Sequence, residues 1–196
     1  MNNKNKSFAF KSKFKFKTFV KKEKKEVVEE EKQAEKIQIN TGIDTLCNQE
    51  GKTILLDDTA VKDHYKLENI TDCTITINSS CKTLYLENIK NSKIVCGVVE
   101  NSIFGNKIEG SEIYCIAQQI RIHHTYKTSF STFVTSNMII EDSSELKISE
   151  YMPKEETAMR LFEESRFKGK VNNWKDVKDF NWIKNTPSPN FTVEEG

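Results

Sequence analysis

The sequence predicts an all-β fold, a parallel β-helix, and three observations carry that prediction. From about residue 51 short β-prone runs recur at even intervals: Thr74–Ile77, Thr83–Leu86, Lys93–Cys96, Ser102–Phe104, Glu112–Cys115, Gln119–His123, Ser129–Val134, Met138–Glu141 and Leu146–Ser149. Two successive runs make a repeat of 19 residues, visible where Cys73, Ser92 and Ser111 fall in register and where Leu67-Glu68-Asn69-Ile70 returns as Leu86-Glu87-Asn88-Ile89. A fixed short period of strands means a meander or a solenoid, and the Asn-Gly or Asp-Gly turns that tie a meander together are missing between the runs. Each run alternates apolar with polar residues, so a single coil leaves its apolar row uncovered, and stacking coils buries it.

The elements divide the chain into three parts. Residues 1–45 read as a basic arm and charged linker. Residues 1–25 hold ten Lys and one acid, Glu23, and interleave Lys11, Lys13, Lys15 and Lys17 with Phe8, Phe10, Phe14, Phe16 and Phe19. So much like charge favours a disordered arm that orders on contact with an acidic partner. Acidic protein tails, anionic lipid and nucleic acid all carry suitable charge. Against nucleic acid, Phe spaced by Lys supplies no folded stacking groove. Residues 23–38, dense in Glu and Lys, suit a solvated helix or a linker. Residues 46–152 form the β-helix. Residues 153–196 begin with a helix that Pro153 opens and that runs to Phe167, with Ala158, Leu161, Phe162 and Ser165 on one face. An aromatic tail follows, containing Trp174, Phe180, Trp182 and Phe191, and is expected to dock on the β-helix and cover an exposed end.

Composition removes several function classes. No run reaches the roughly 18–20 apolar residues of a membrane span, the first residues lack the apolar core of a signal peptide, and Asn2 stands where N-myristoylation requires Gly. No membrane anchor is expected. Five cysteines, an odd number with no CxxC pair, point to free thiols in a reducing compartment and to small buried core residues. The three histidines complete no zinc-ligand spacing, so no metal site is expected.

The segment that bears chemistry is Gln118-Gln119-Ile120-Arg121-Ile122-His123. Strand alternation puts Ile120 and Ile122 on one face and Gln119, Arg121 and His123 on the other. With the isoleucines inward, Arg121 projects into solvent from a rigid strand, as suits a residue that reaches into another protein. The 30 basic residues include only three Arg, Arg121 among them. Where a plain charge suffices this chain uses Lys, so an Arg marks a place where the planar five-donor fork matters. Composition alone leaves an ordinary surface arginine as the plainer reading.

Four motifs in order add to this. They are Cys96-Gly97-Val98-Val99 with Asn101-Ser102-Ile103-Phe104; Gln118–His123; Ile139-Ile140-Glu141-Asp142 preceded by Met138; and Asn173-Trp174-Lys175-Asp176-Val177 with Asp179-Phe180-Asn181-Trp182 and Ser188-Pro189-Asn190. Together they resemble the tubulin-binding cofactor C domain family over roughly residues 60–191, with Met138 where the family has Pro. The resemblance implies a right-handed parallel β-helix that acts as a GTPase-activating protein. It implies that Arg121 is an arginine finger given in trans, and that Gln118, Glu141 and Phe180 line the same face, Glu141 holding the guanidinium side-on or pairing with a base of the partner. The outward Gln119 and His123 join them as GTPase-binding candidates, His123 in a supporting role. No cofactor of its own is implied; the GTP and its Mg belong to the partner. The partners implied are tubulin, at the β-tubulin GTP site, and the tubulin folding cofactors D and E, in a cytoplasmic, cytoskeleton-associated setting. Two alternatives stay open: an Arf-like small GTPase as substrate, and a non-catalytic cytoskeletal binding module like the β-helix of cyclase-associated proteins, which lacks the finger motif. Full-length members carry a helical domain ahead of the β-helix, whereas about 45 residues precede the repeats here, an expectation of a reduced N-terminus.

Overall fold

Apolar residues at every second position build walls with one buried and one outward face, and the chain winds these walls into stacked coils. The computed structural model describes residues 43–57 and 62–195; the basic arm and most of the charged linker lie outside them. Twelve strands are described: β1 Ile43–Glu50, β2 Thr53–Leu56, β3 Lys62–Thr71, β4 Thr74–Ile77, β5 Cys81–Lys90, β6 Lys93–Glu109, β7 Glu112–His123, β8 Ser129–Val134, β9 Met138–Glu141, β10 Leu146–Glu150, β11 Val177–Asp179 and β12 Phe191–Glu194. One helix, α1, covers Glu156–Glu164. Every pairing between these strands is parallel. The result is a β-helix of about five turns.

Two long walls share β6 and β7, which bend round a corner. The first wall stacks β1, β3, β5, the second half of β6, the second half of β7, β9 and β11. The second stacks β2, β4, the first halves of β6 and β7, β8, β10 and β12. Inward columns Leu84–Ile103–Ile120–Met138 and Leu86–Gly105–Ile122–Ile140 fill the first wall, and all the side-chain-bearing members are at most 1% exposed. Gly105 is the narrow step in its column, where a Cβ would stand 2.7 Å from Ile122 and 2.8 Å from Ile108.

The 19-residue repeat is set at the corners. Asn48, Asn69 and Asn88 all adopt positive φ, a conformation that Asn tolerates better than most residues. They form a ladder in which Asn88 Nδ2 donates to Asn69 Oδ1 (2.8 Å) and Asn69 Nδ2 to Asn48 Oδ1 (3.0 Å). At the next corner the Ser92 hydroxyl accepts from the Cys73 amide (3.0 Å) and the Ser111 hydroxyl from the Ser92 amide (3.1 Å). Cys73, Cys81, Cys96 and Cys115 are buried free thiols, and Cys47 is exposed. Burial pushes the Cys81 and Cys115 thiols up to about 12.

The C-terminal segment extends the stack as well as covering it. Phe162 of α1 and Phe167 just beyond it pack on Val98, Ile116 and Phe133 in a cluster of their own. The helix is shorter than Pro153–Phe167, because the Ser165 amide turns back to the Phe162 carbonyl (3.1 Å). Trp174 enters the main core, and β11 and β12 add a further strand to each wall. No described helix is long and apolar enough to cross a membrane.

Candidate functional site

Because Ile120 and Ile122 are fully buried, Arg121 between them faces outward from the first wall. Its outward column runs Lys66, Tyr85, Phe104, Arg121, Ile139, Lys178, one residue per coil. On one flank stand Thr83, Ser102 and Gln119; on the other stand Glu87, Asn106, His123 and Glu141. Neighbours in such a column are about 4.8 Å apart, so Arg121 sits in a fixed grid. The Tyr85 and Phe104 rings stack at 5.5 Å and 16°, and they form an aromatic step beside it.

Alignment of this row depends on the bend. Val95 pairs with Tyr114, 19 residues on, whereas beyond the corner Ser102 pairs with Gln119, 17 on, through two register shifts. That shortening by two residues keeps the facing and brings Arg121, rather than His123, beside Phe104.

Arg121 is half-buried and its Nε is buried, yet it makes no hydrogen bond or ion pair among the described residues. Buried donors are nearly always satisfied, so the unpaired buried Nε of Arg121 is an unusual resting state. Glu141 does not hold it. The Glu141 carboxylate lies 3.2 Å from His123 Nδ1, and this corrects the side-on pairing with Arg121 that the resemblance implied. The physical reason is register: His123 and Glu141 are direct cross-strand partners, while Arg121 faces Ile139.

The other candidates divide into two groups. Gln119, Arg121, His123 and Glu141 share the outward face. Phe180 follows β11, donates its amide to the Ile140 carbonyl (3.0 Å) and leaves its ring 54% exposed, one coil beyond Glu141. Gln118 stands apart at the bend of β7, where its backbone carbonyl accepts from the Ser136 amide (2.8 Å) and its side-chain carbonyl accepts from Arg166. Sequence reasoning missed Arg166; the scarcity of Arg was the one signal that could have found it. Tyr85 and Phe104 were also missed, although Phe104 closes a quoted motif. No cluster of metal-ligating side chains occurs among the described residues. The site offers concentrated hydrogen-bond donors with a cation at their centre, a chemistry suited to stabilising anionic oxygens.

The family model for tubulin binding cofactor C matches residues 62–180, more than half of the chain and the whole of this face. The chain belongs to the tubulin binding cofactor C family. Curated relatives include the mouse tubulin-specific chaperone C, 32% identical over 128 residues that are 65% of this chain and 38% of the relative. The Dictyostelium discoideum tubulin-specific chaperone C is 32% identical over 153 residues, 66% of this chain and 36% of the relative. The Arabidopsis thaliana tubulin-folding cofactor C is 27% identical over 129 residues, 66% of this chain and 37% of the relative. The matched region therefore corresponds to little more than a third of each relative. Within the family match lie Gln118, Gln119, Arg121, His123, Glu141 and, at its last position, Phe180.

Proposed function

We propose that this protein is a GTPase activator that gives Arg121 in trans to GTP bound by tubulin, in the cytoplasm, as a step of tubulin folding and heterodimer assembly with the folding cofactors D and E. The observation that carries the reading is the unpaired guanidinium of Arg121, held on a rigid strand and free of any internal carboxylate among the described residues. The names of the relatives support tubulin as the substrate.

Transfer of the γ-phosphoryl to water spreads negative charge over the transferring oxygens. A planar fork set against them neutralises that charge, and a preorganised donor reorganises little as the reaction proceeds. Fingers of this kind are worth about 10³–10⁵ in rate, or roughly 4–7 kcal/mol of barrier. Gln118, Gln119 and Phe180 make the contacts that seat the partner. Glu141 keeps His123 in place and leaves Arg121 unclaimed. The Mg and the nucleotide come with the partner.

The test is GTP hydrolysis by tubulin with cofactors D and E, in the presence of this protein or its Arg121→Ala variant. Stimulation by the wild type that disappears in the variant is the expected result. Arg121→Lys should behave nearly as Arg121→Ala, because a point charge loses the fork; a Lys variant close to wild type would sink the finger. No stimulation of tubulin by either protein moves the substrate to an Arf-like small GTPase, assayed the same way.

A further inference from the structure

Arg166 is the one described side chain from outside the two walls that takes hold of a candidate GTPase-binding residue. Its Nη2 donates to Gln118 Oε1 across 48 residues of sequence. The segment that presents it is fixed at both sides. The Ser165 hydroxyl donates to the Phe162 carbonyl (2.7 Å) and accepts from the Phe167 amide (3.1 Å), which pins the turn on which Arg166 sits. Phe167, next in sequence, is 1% exposed and edge-on to Phe133 (6.3 Å). The guanidinium lies 5.5 Å from the Phe167 ring. The acids nearby in sequence are engaged elsewhere, Glu164 with Arg160 and Glu163 with Lys168.

A guanidinium has donors only, so the amide of Gln118 must turn its carbonyl toward Arg166. Its NH₂ then points away, into solvent. A free surface glutamine can present either end and must lose that freedom on docking. Gln118 is three strand residues from Arg121, at most roughly 10 Å along the chain.

We propose that Arg166 is a positioning residue that locks the Gln118 amide in one orientation, so that Gln118 meets the GTPase as a hydrogen-bond donor. The inference rests on the arginine-finger reading of the same face. It assigns to the partner an acceptor opposite Gln118, a backbone carbonyl or a carboxylate rather than an N–H.

The experiment is a double-mutant cycle read as kcat/KM for stimulated GTP hydrolysis, with Arg121→Ala as the control for the finger. Arg166→Ala should lower kcat/KM about tenfold, the scale of one hydrogen bond to a charged group. Gln118→Ala should lower it at least as much, and adding Arg166→Ala to Gln118→Ala should cause no further loss. Arg166→Lys, which still donates to the Gln118 carbonyl, should recover most of the loss. The melting temperature should stay at the wild-type value in the Arg166 and Gln118 variants, because Phe167 anchors the segment. Additive losses, or an Arg166→Ala variant that stimulates as wild type while Arg121→Ala is dead, overturn the positioning role alone. An Arg121→Ala variant that keeps its stimulation overturns the finger reading and this inference with it.

Discussion

Replacing Arg121 by Met separates what this side chain does for the fold from what it does for a partner. Methionine keeps an unbranched stem to cover the strand and removes every donor. In the wild type the buried Nε has no partner among the described residues, and a buried unpaired donor costs about 1–3 kcal/mol. Arg121 is only half-buried, so the lower end applies, about 1 kcal/mol. Removing that burden raises the melting temperature of a domain this size by about 2–4 °C. Catalysis moves the other way. Loss of the fork removes the stimulation of GTP hydrolysis, about 10³–10⁵-fold. Thermal melting followed by far-UV circular dichroism, together with single-turnover GTP hydrolysis, reads both. A fall in melting temperature beyond about 4 °C would show that Arg121 holds the wall together, and stimulation within tenfold of wild type would show that the guanidinium is not the finger.

Gly97→Ala should destabilise sharply. A Cβ there falls 2.0 Å from the Ser79 carbonyl oxygen and 2.9 Å from that of Ile77, both backbone atoms. An overpacking cost of about 1–3 kcal/mol or more follows, which lowers the urea midpoint by roughly 1 M; an unchanged midpoint would mean the corner yields freely. The buried thiols make stability fall at alkaline pH. Cys81 and Cys115 titrate at about 12 in the fold against about 8.5 in an unfolded chain. The folded state therefore keeps protons that the unfolded chain releases, so their contribution is complete below about pH 8.5 and is lost as pH rises from there toward 12. Urea midpoints should decline from pH 8.5 to 11, less steeply in Cys115→Ala; equal slopes in the two proteins would remove the thiol from the explanation.

The stack was legible in the sequence because its corners are chemically marked. Cys73, Ser92 and Ser111 recur at one spacing because the Cys73 and Ser92 amides are each satisfied by the serine hydroxyl of the next coil. The outward facing of Arg121 was legible from alternation alone, with Ile120 and Ile122 as its inward neighbours. The pairing of His123 with Glu141 was not, because it depends on how many residues each coil spends at its bend. That number changes within β6 and β7, where runs that looked separate are single strands bent round a corner. β11 and β12 have three and four residues and form only because β9 and β10 offer them an edge. Arg166 reaches Gln118 through the packing of Phe167, and no local pattern announces that contact. The four N-terminal-most strands escaped notice except β4, since Lys62, Asp63, His64 and Lys66 disguise the inward row of β3.

In a one-dimensional stack each coil is secured only by the coil above and the coil below. The second half of β7 has the second half of β6 on one side and β9, itself covered by β11, on the other. Fraying therefore starts at β1 and β2 or at β11 and β12, and must peel away whole coils before it loosens the strand that carries Arg121. Amide hydrogen exchange should slow from both ends of the described chain toward Ile120 and Ile122. The fold can thus breathe at its ends, even shed a terminal coil, while the geometry of the arginine stays as it was.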